Sequence, residues 1–250
     1  MRSLLLRSSL LLGLGSVNAA RGQSPAAQQS LDSLRTKYHL PALLAAVIEP
    51  GRIRYVYAGL TRNDQAAPVR LTDYFHLGSD AKGVTSFLAG KLVEQGKLRW
   101  DSKLLDVVPA LREKTLPAYA SVTLAELLSH RAGIRPYRFG SDHEHLPVFT
   151  GTVSQKRLQF ATVVLQETPV APSSTEPYVY SNAGYVLAAL MLEQASQHSW
   201  EDLVAKTFRH LHLHQRTGFP NHVEATQPWG HELKSSQDSL FRPLGPTDPY

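Results

Sequence analysis

The sequence predicts an α+β fold in which one antiparallel β-hairpin precedes a mostly helical middle. Two β-rich runs, residues 43–49 and 52–59, flank the turn pair Pro50-Gly51, which is the pattern of a hairpin. Further along the chain, apolar residues recur at the three- and four-residue spacing of amphipathic helices. After Thr217 repeated prolines interrupt the chain, and no convincing strand pattern is left there.

The helices follow from this periodicity in chain order. A short amphipathic helix is predicted from Ser30 to Tyr38, and a longer one from Ser79 to Gln95, which ends before the favourable stop Gly96. The apolar stripe that predicts the buried face of the longer helix comprises Ala81, Val84, Phe87, Leu88, Leu92 and Val93. Four further helices are predicted at residues 122–128, with Thr123 as N-cap, and at 156–166, 185–197 and 203–211.

The amino terminus has the pattern of a secretory signal. Arg2 and Arg7 accompany an apolar run from Leu10 to Val17, and small residues follow at Ala19 and Ala20. The run is shorter than the about 20 apolar residues that a membrane-spanning helix needs, and a buried helix is the alternative interpretation. We therefore predict a signal peptide over residues 1–19, followed by one domain over residues 20–250, and an exported, periplasmic or extracellular protein.

The composition of the chain argues against several classes of function. The 250 residues include 26 basic and 21 acidic side chains, for a formal charge of +5, and no Lys/Arg block stands out as a nucleic-acid footprint. No cysteine occurs among them, which excludes a disulfide framework and a cysteine nucleophile from this stretch. Later apolar stretches are broken by polar residues, so no membrane span is expected. We expect a monomer that acts on a small-molecule or peptide substrate.

Two histidine-rich stretches raise the question of a metal site. The first is His143-Glu144-His145, and the second places His210, His212 and His214 at alternate positions. The second lies at a predicted helix end, where alternate residues do not face each other, and the first lacks further ligands at a recognisable spacing. We interpret both as surface histidines and expect neither a metal nor another cofactor.

The first motif with chemical content is Ser79-Asp80-Ala81-Lys82. Residues three apart at a helix start project on the same face, so Lys82 can reach the Ser79 hydroxyl. A serine hydroxyl is a weak nucleophile until a neighbouring base takes its proton, and a lysine with a destabilised charge can do so. The pattern alone also fits a helix N-cap followed by a solvated lysine.

The second motif is Tyr180-Ser181-Asn182, which precedes an apolar helix. A phenol near Lys82 could relay the serine proton to a leaving group, and the Asn182 carboxamide could hold both Lys82 and a substrate amide. The tripeptide alone also fits a loop tyrosine and a helix-capping asparagine.

Together these motifs resemble the serine β-lactamase and penicillin-binding-protein superfamily. Residues 74–82 resemble the aromatic-x-x-Gly-Ser-x-x-Lys entry into its catalytic helix, and Tyr180-Ser181-Asn182 resembles the Tyr-x-Asn element of class C β-lactamases and related DD-peptidases and esterases. The connecting blocks 92–102 and 122–134 are similar as well, although Arg131 and Ala132 depart from the usual small hydroxyl residues. The resemblance implies a β-lactamase/DD-peptidase-like fold with Ser79, Lys82 and Tyr180 catalytic and Asn182 binding substrate.

One family element is missing from the sequence. Relatives place a Lys/His-Thr/Ser-Gly triplet on a strand beside the active site, where it binds the substrate carboxylate, and no such triplet follows Tyr180. Trp229-Gly230-His231 resembles a different family block. We expect a helical subdomain over about residues 98–213 beside an antiparallel sheet that is incomplete, and a C-terminally truncated chain.

Two function classes remain open at this point. The first is a serine hydrolase that forms an acyl-enzyme on a β-lactam, a D-amino-acid peptide or an ester. The second is a catalytically silent envelope protein with a binding or vestigial role. The missing triplet is the feature that keeps the second class open.

Overall fold

In the computed structural model, residues 24–138, 142, 145–173, 175, 177–218, 224–233 and 241–244 are described. The predicted signal peptide lies outside these residues, as do His143 and Glu144. The helices are α1 Pro25–Lys37, α2 Ala81–Glu94, α3 Leu104–Val107, α4 Leu124–Leu128, α5 Val153–Val164, α6 Asn182–Ser196 and α7 Trp200–His210. Short 3-10 turns occupy Gly78–Asp80, Pro109–Lys114 and Pro117–Tyr119. The strands are β1 Ala42–Glu49, β2 Arg52–Gly59, β3 His231–Glu232 and β4 Arg242–Pro243.

This combination of helices with small antiparallel sheets confirms the predicted α+β class. The six predicted helices correspond to α1, α2 and α4 to α7. The sequence shows no convincing strand pattern after Thr217, and the expectation that no strand forms there was wrong. Strands β3 and β4 pair in this part of the chain as an antiparallel two-residue ladder. Strands this short contain no alternation from which a sequence pattern could identify them.

The first compact unit contains the described residues of Met1–His76 and Gly218–Asp248. Its main element is the hairpin, in which β1 and β2 pair antiparallel from Ala42 opposite Gly59 to Glu49 opposite Arg52. Helix α1 packs on this hairpin and buries Leu31, while Val56 is the buried residue of β2. Helix α1 starts earlier than predicted, because Ser24 caps it and Pro25 occupies a first-turn position that needs no N–H donor.

The second compact unit, whose described residues run from Leu77 to Thr217, contains α2 to α7. Helix α6 lies at its centre and contacts α2, α3, α4, α5 and α7. Leu187, Ala188, Met191 and Leu192 of α6 are fully buried, so most of its circumference faces other helices. A helix that is apolar all round is expected to be surrounded in this way.

The inward face of α2 differs from the predicted stripe. Leu88 and Leu92 are buried as expected, but Phe87 is 48% exposed, and Thr85 and Ala89 are buried instead. The Thr85 hydroxyl accepts a hydrogen bond from the Trp200 indole N–H at 3.1 Å, which satisfies a polar group that would otherwise be costly to bury. The contacts of α2 with α6 and α7 therefore select a face that apolar spacing alone did not identify.

Two helix starts in this unit are fixed by hydroxyl caps. Thr123 caps α4 as predicted, in a reciprocal capping box with Glu126. Ser181 caps α6, because its Oγ accepts the Gly184 N–H at 3.0 Å. Helix α6 consequently begins at Asn182 rather than at the predicted Tyr185. No helix in the described part of the chain is both long enough and apolar enough to cross a membrane.

Candidate active site

Ser79 and Lys82 lie where the chain enters α2. Ser79 is the middle residue of the 3-10 turn Gly78–Asp80, and Lys82 lies in the first turn of α2. The Lys82 Nζ donates to Ser79 Oγ at 3.2 Å, so the two side chains project on the same face as their spacing predicted. The positive end of the α2 dipole lies near Ser79, which favours developing negative charge there.

Tyr180 and Asn182 approach the same two side chains from the start of α6. The Tyr180 hydroxyl donates to Ser79 Oγ at 2.8 Å across 101 residues of sequence. Asn182 accepts the Lys82 ammonium on Oδ1 at 2.7 Å and donates from Nδ2 to the Tyr137 carbonyl at 2.8 Å. The four residues predicted for the site are thus brought together within the second compact unit.

The groups around Tyr180 make its phenol more acidic. Burial by itself raises the pKa of the Tyr180 phenol, but the Lys82 ammonium, the Ser79 hydroxyl and the charge of Arg138 outweigh it, so the pKa lies below its ordinary value. Arg138 donates from Nε and Nη2 to the Tyr180 carbonyl, both at 3.1 Å. A phenol with this environment releases its proton more easily than an isolated tyrosine.

Lys82 lies close to two aromatic rings. Its Nζ is 4.8 Å from the ring centre of Tyr180 and 5.6 Å from that of Tyr185, distances at which ring faces attract a cation. Tyr185 is itself anchored, because its hydroxyl donates to the Leu128 carbonyl at 2.8 Å. The ammonium group is therefore held by Asn182, by the Ser79 hydroxyl and by two rings.

Three residues beside the site were not assigned a role from the sequence. His130 lies within the connecting block 122–134, and its ring centre is 4.4 Å from that of Tyr180. Tyr185 begins the predicted helix 185–197, a position that by itself indicates no role at the site. Arg138 follows that block with no pattern of its own, so no sequence signal could have identified it.

Two residues around the site have a left-handed backbone. His130 has φ of 61° and Tyr137 has φ of 50°, a region that residues other than glycine seldom adopt. Tyr137 is held by its buried ring, whose hydroxyl donates to Glu167 Oε1 at 2.8 Å, and its carbonyl accepts the Asn182 amide. Strained backbone of this kind is often found at functional sites, where the surrounding structure maintains it.

Of the two histidine-rich stretches, the structure describes His145 and the whole of the second, His210, His212 and His214. His145 contacts Tyr137 and Glu167, and no group of three potential metal ligands occurs among the described residues. The sequence also contains Arg216-Thr217-Gly218, which differs from the family triplet in its first residue. This segment is irregular and follows α7, rather than forming a strand.

Comparisons with known proteins place these observations in a family. The sequence model of the Beta-lactamase family matches residues 27–250. Penicillin-binding protein 4 of Amycolatopsis lactamdurans is 28% identical over 194 residues, which cover 77% of this chain and 49% of that protein. A Beta-lactamase of Pseudomonas fluorescens is 27% identical over 116 residues, or 46% of this chain and 32% of that protein.

A solved structure has the same fold. The class C beta lactamase from Rhodobacter sphaeroides superposes with a TM-score of 0.65 and 23% identity, covering 90% of this chain and 60% of that one. This similarity agrees with the α+β class predicted from the sequence. The chain spans about half the length of the first of these curated relatives.

Proposed function

Because the chain belongs to the Beta-lactamase family, we propose that it is a serine hydrolase that forms an acyl-enzyme on Ser79. One observation carries the proposal: a single hydroxyl, Ser79 Oγ, lies within hydrogen-bond distance of both Lys82 Nζ and Tyr180 OH. A nucleophile with two groups able to exchange its proton is what covalent catalysis at a carbonyl requires.

In the proposed reaction, Ser79 Oγ attacks the substrate carbonyl carbon while Lys82 accepts the hydroxyl proton. Tyr180 then donates its proton to the leaving nitrogen or oxygen as the carbonyl–leaving-group bond breaks, and Lys82 returns a proton to Tyr180. The cycle therefore starts from Lys82 as the neutral amine and Tyr180 as the phenol, one proton fewer than in the fully protonated pair. Water attacks the acyl-enzyme in a second, analogous cycle and releases the acid.

Asn182 has two tasks in this scheme. Its Oδ1 holds the Lys82 ammonium, while its Nδ2 is directed to the Tyr137 carbonyl. Because both ends of the carboxamide are engaged, its orientation is fixed, and Lys82 is held close to Ser79. An amide substrate that hydrogen-bonds to Asn182 would have to share or replace one of these two partners.

The proposed substrates are β-lactams, D-amino-acid peptides and esters, since all three contain a carbonyl with a leaving group that Tyr180 can protonate. The similarity to proteins named penicillin-binding protein and beta-lactamase supports the first class. Export to the periplasm or exterior is part of the proposal, and it rests on the predicted signal peptide.

The proposal is tested by covalent labelling of the 250-residue chain with a fluorescent penicillin, a fluorophosphonate and a chromogenic ester, followed by mass-spectrometric location of the adduct. We expect an adduct on Ser79 that Ser79→Ala abolishes. Tyr180→Phe keeps the ring and should slow labelling by about 10²–10⁴-fold, the usual contribution of a general acid–base group.

The matched control is Ser33→Ala, since the Ser33 hydroxyl donates to the carbonyl of Gln29 in its own helix and Ser33 lies outside the second compact unit. It should label like the wild type. An adduct that persists in Ser79→Ala would remove Ser79 as nucleophile. A folded wild-type chain that reacts with none of the three probes would favour the catalytically silent class instead.

A further inference from the structure

His130 binds the backbone of the two residues that flank Tyr180. It follows α4, and its carbonyl accepts the Val179 N–H at 2.9 Å, while its ring Nδ1 accepts the Ser181 N–H at 3.1 Å. These donors belong to the residues immediately before and after Tyr180. The segment that carries the phenol is therefore attached at two points to one histidine.

The imidazole also supports the Tyr180 ring directly. The two ring centres are 4.4 Å apart, and the ring planes are inclined by 38°. The imidazole also contacts Tyr185, whose ring centre is 5.2 Å from that of His130. Tyr185 is tied to α4 through the Leu128 carbonyl. A ring packed between two others has little freedom to turn, so its position limits that of Tyr180.

This arrangement requires one protonation state. An imidazole nitrogen that accepts a backbone N–H cannot carry a proton, so His130 must be neutral with its proton on Nε2. The surroundings of His130 also favour its neutral form, because burial, the Lys82 ammonium and the Arg138 guanidinium all lower the pKa of His130. Among the described residues, the other titratable side chains in ring contact with His130 are Tyr180 and Tyr185.

We propose that His130 is a positioning residue, whose neutral imidazole holds the Tyr180 phenol against Ser79, and that its protonation releases this hold. The inference rests on the proposed function, because it assigns His130 a role through Tyr180. Protonation would add a donor where the Ser181 N–H now donates, and two donors cannot share the contact. The Ser181 segment would move, and the Tyr180 hydroxyl with it.

The rate of acylation should therefore decline at acidic pH, as His130 becomes protonated. The neutral form predominates above its pKa and is lost as the pH falls through that value, which lies below the ordinary value for histidine. Misplacing a catalytic group by about 1 Å can cost about 100-fold in rate, so protonation should slow labelling by roughly 10- to 100-fold.

Two variants of His130 distinguish the contribution of its ring from that of its hydrogen-bond acceptor. His130→Asn keeps an oxygen acceptor in place of Nδ1 and, like histidine, tolerates the left-handed backbone, but it lacks a ring and does not titrate. His130→Phe keeps a ring but has no acceptor. The matched control is His39→Asn, because His39 also has a positive φ of 52° and lies outside the second compact unit.

The experiment measures labelling of Ser79 by a fluorescent penicillin, whose leaving nitrogen needs a proton from Tyr180. The pH runs from about 8 down to about 4, below the ordinary range of histidine titration, because the pKa of His130 is lowered. At the upper end, His130→Phe should label about 10- to 100-fold more slowly than the wild type, and His130→Asn should lose less. The acid-side decline assigned to His130 should be absent from His130→Asn and retained in His39→Asn. Thermal unfolding of each variant identifies any that fails to fold.

A second measurement does not depend on activity. Nitrogen NMR of the histidines in the wild-type chain should show His130 as the Nε2–H tautomer, and the Tyr180 ring carbons should shift with the same pH midpoint as His130. An Nδ1–H tautomer, or a Tyr180 signal that ignores the His130 titration, would refute the positioning role. Labelling of His130→Phe at the wild-type rate would refute it while leaving the proposed function intact. A folded wild type that reacts with none of the three probes would overturn the proposed function and, with it, the effect of His130 on acylation, while the NMR measurement would still test the hold of His130 on Tyr180.

Discussion

Arg157 links three helices of the second compact unit through a mostly buried ion network. From α5, its Nη1 donates to Glu193 Oε1 on α6 at 2.6 Å, and its Nη2 also pairs with Glu201 on α7. The Glu193 side chain is only 5% exposed, and its Oε1 additionally accepts from Ser154 Oγ and the Trp200 N–H. Because α6 begins at Asn182, this network braces the helix that presents part of the candidate site.

The perturbation is Arg157→Met, which keeps an aliphatic side chain and removes the charge. Removing one partner of a buried ion pair costs about 3–5 kcal/mol, because the other charge remains buried without compensation. Ser154 and Trp200 still donate to Glu193, so the loss should fall near the lower end, about 3 kcal/mol. Glu201 is 26% exposed and adds at most about 1 kcal/mol.

The assay is urea unfolding at neutral pH, which gives the free energy of unfolding and its slope with denaturant. The control is Arg157→Met combined with Glu193→Gln, because glutamine accepts the same two hydrogen bonds without a charge. The double variant should recover most of the loss. A single-variant loss below about 1 kcal/mol, or a double variant no more stable than the single, would refute the assignment of the cost to the buried charge.

Two further predictions concern stability. Thr123→Ala removes the α4 capping box and should cost about 1 kcal/mol in urea unfolding, whereas Thr123→Ser keeps the capping oxygen and should cost less; equal losses would contradict the cap. Burial and then the negative charge of Glu167 raise the pKa of Tyr119 to about 12. Because this pKa exceeds the unfolded value of about 10, its contribution to stability is complete below pH about 10 and declines as the pH rises towards 12. Burial and Glu167 also raise the pKa of Tyr137. Alkaline titration of tyrosinate absorbance should therefore show late ionisation that Tyr119→Phe reduces by the amplitude of one tyrosine, and ionisation of Tyr119 near pH 10 in the folded chain would contradict it.

The sequence alone determined those features that depend on near neighbours. The hairpin followed from two β-rich runs around Pro50-Gly51, and the projection of Ser79 and Lys82 on one face followed from their spacing at a helix start. The cap at Thr123 was predicted for the same reason. Each depends on backbone geometry over a few residues, which the local sequence specifies. The proposed catalytic roles of Ser79, Lys82 and Tyr180 stay predictions.

The tertiary structure decided the features that depend on how helices pack. Spacing along α2 suggested that Phe87 is buried, whereas contacts with α6 and α7 turn Thr85 inward. The contact between Tyr180 and Ser79 joins residues 101 positions apart; family resemblance suggested it, but no local pattern encodes it. The attachment of His130 to both neighbours of Tyr180 depends in addition on a left-handed backbone at His130. Periodicity carries no information about such long-range contacts, because many packings of the same helices satisfy the same apolar pattern.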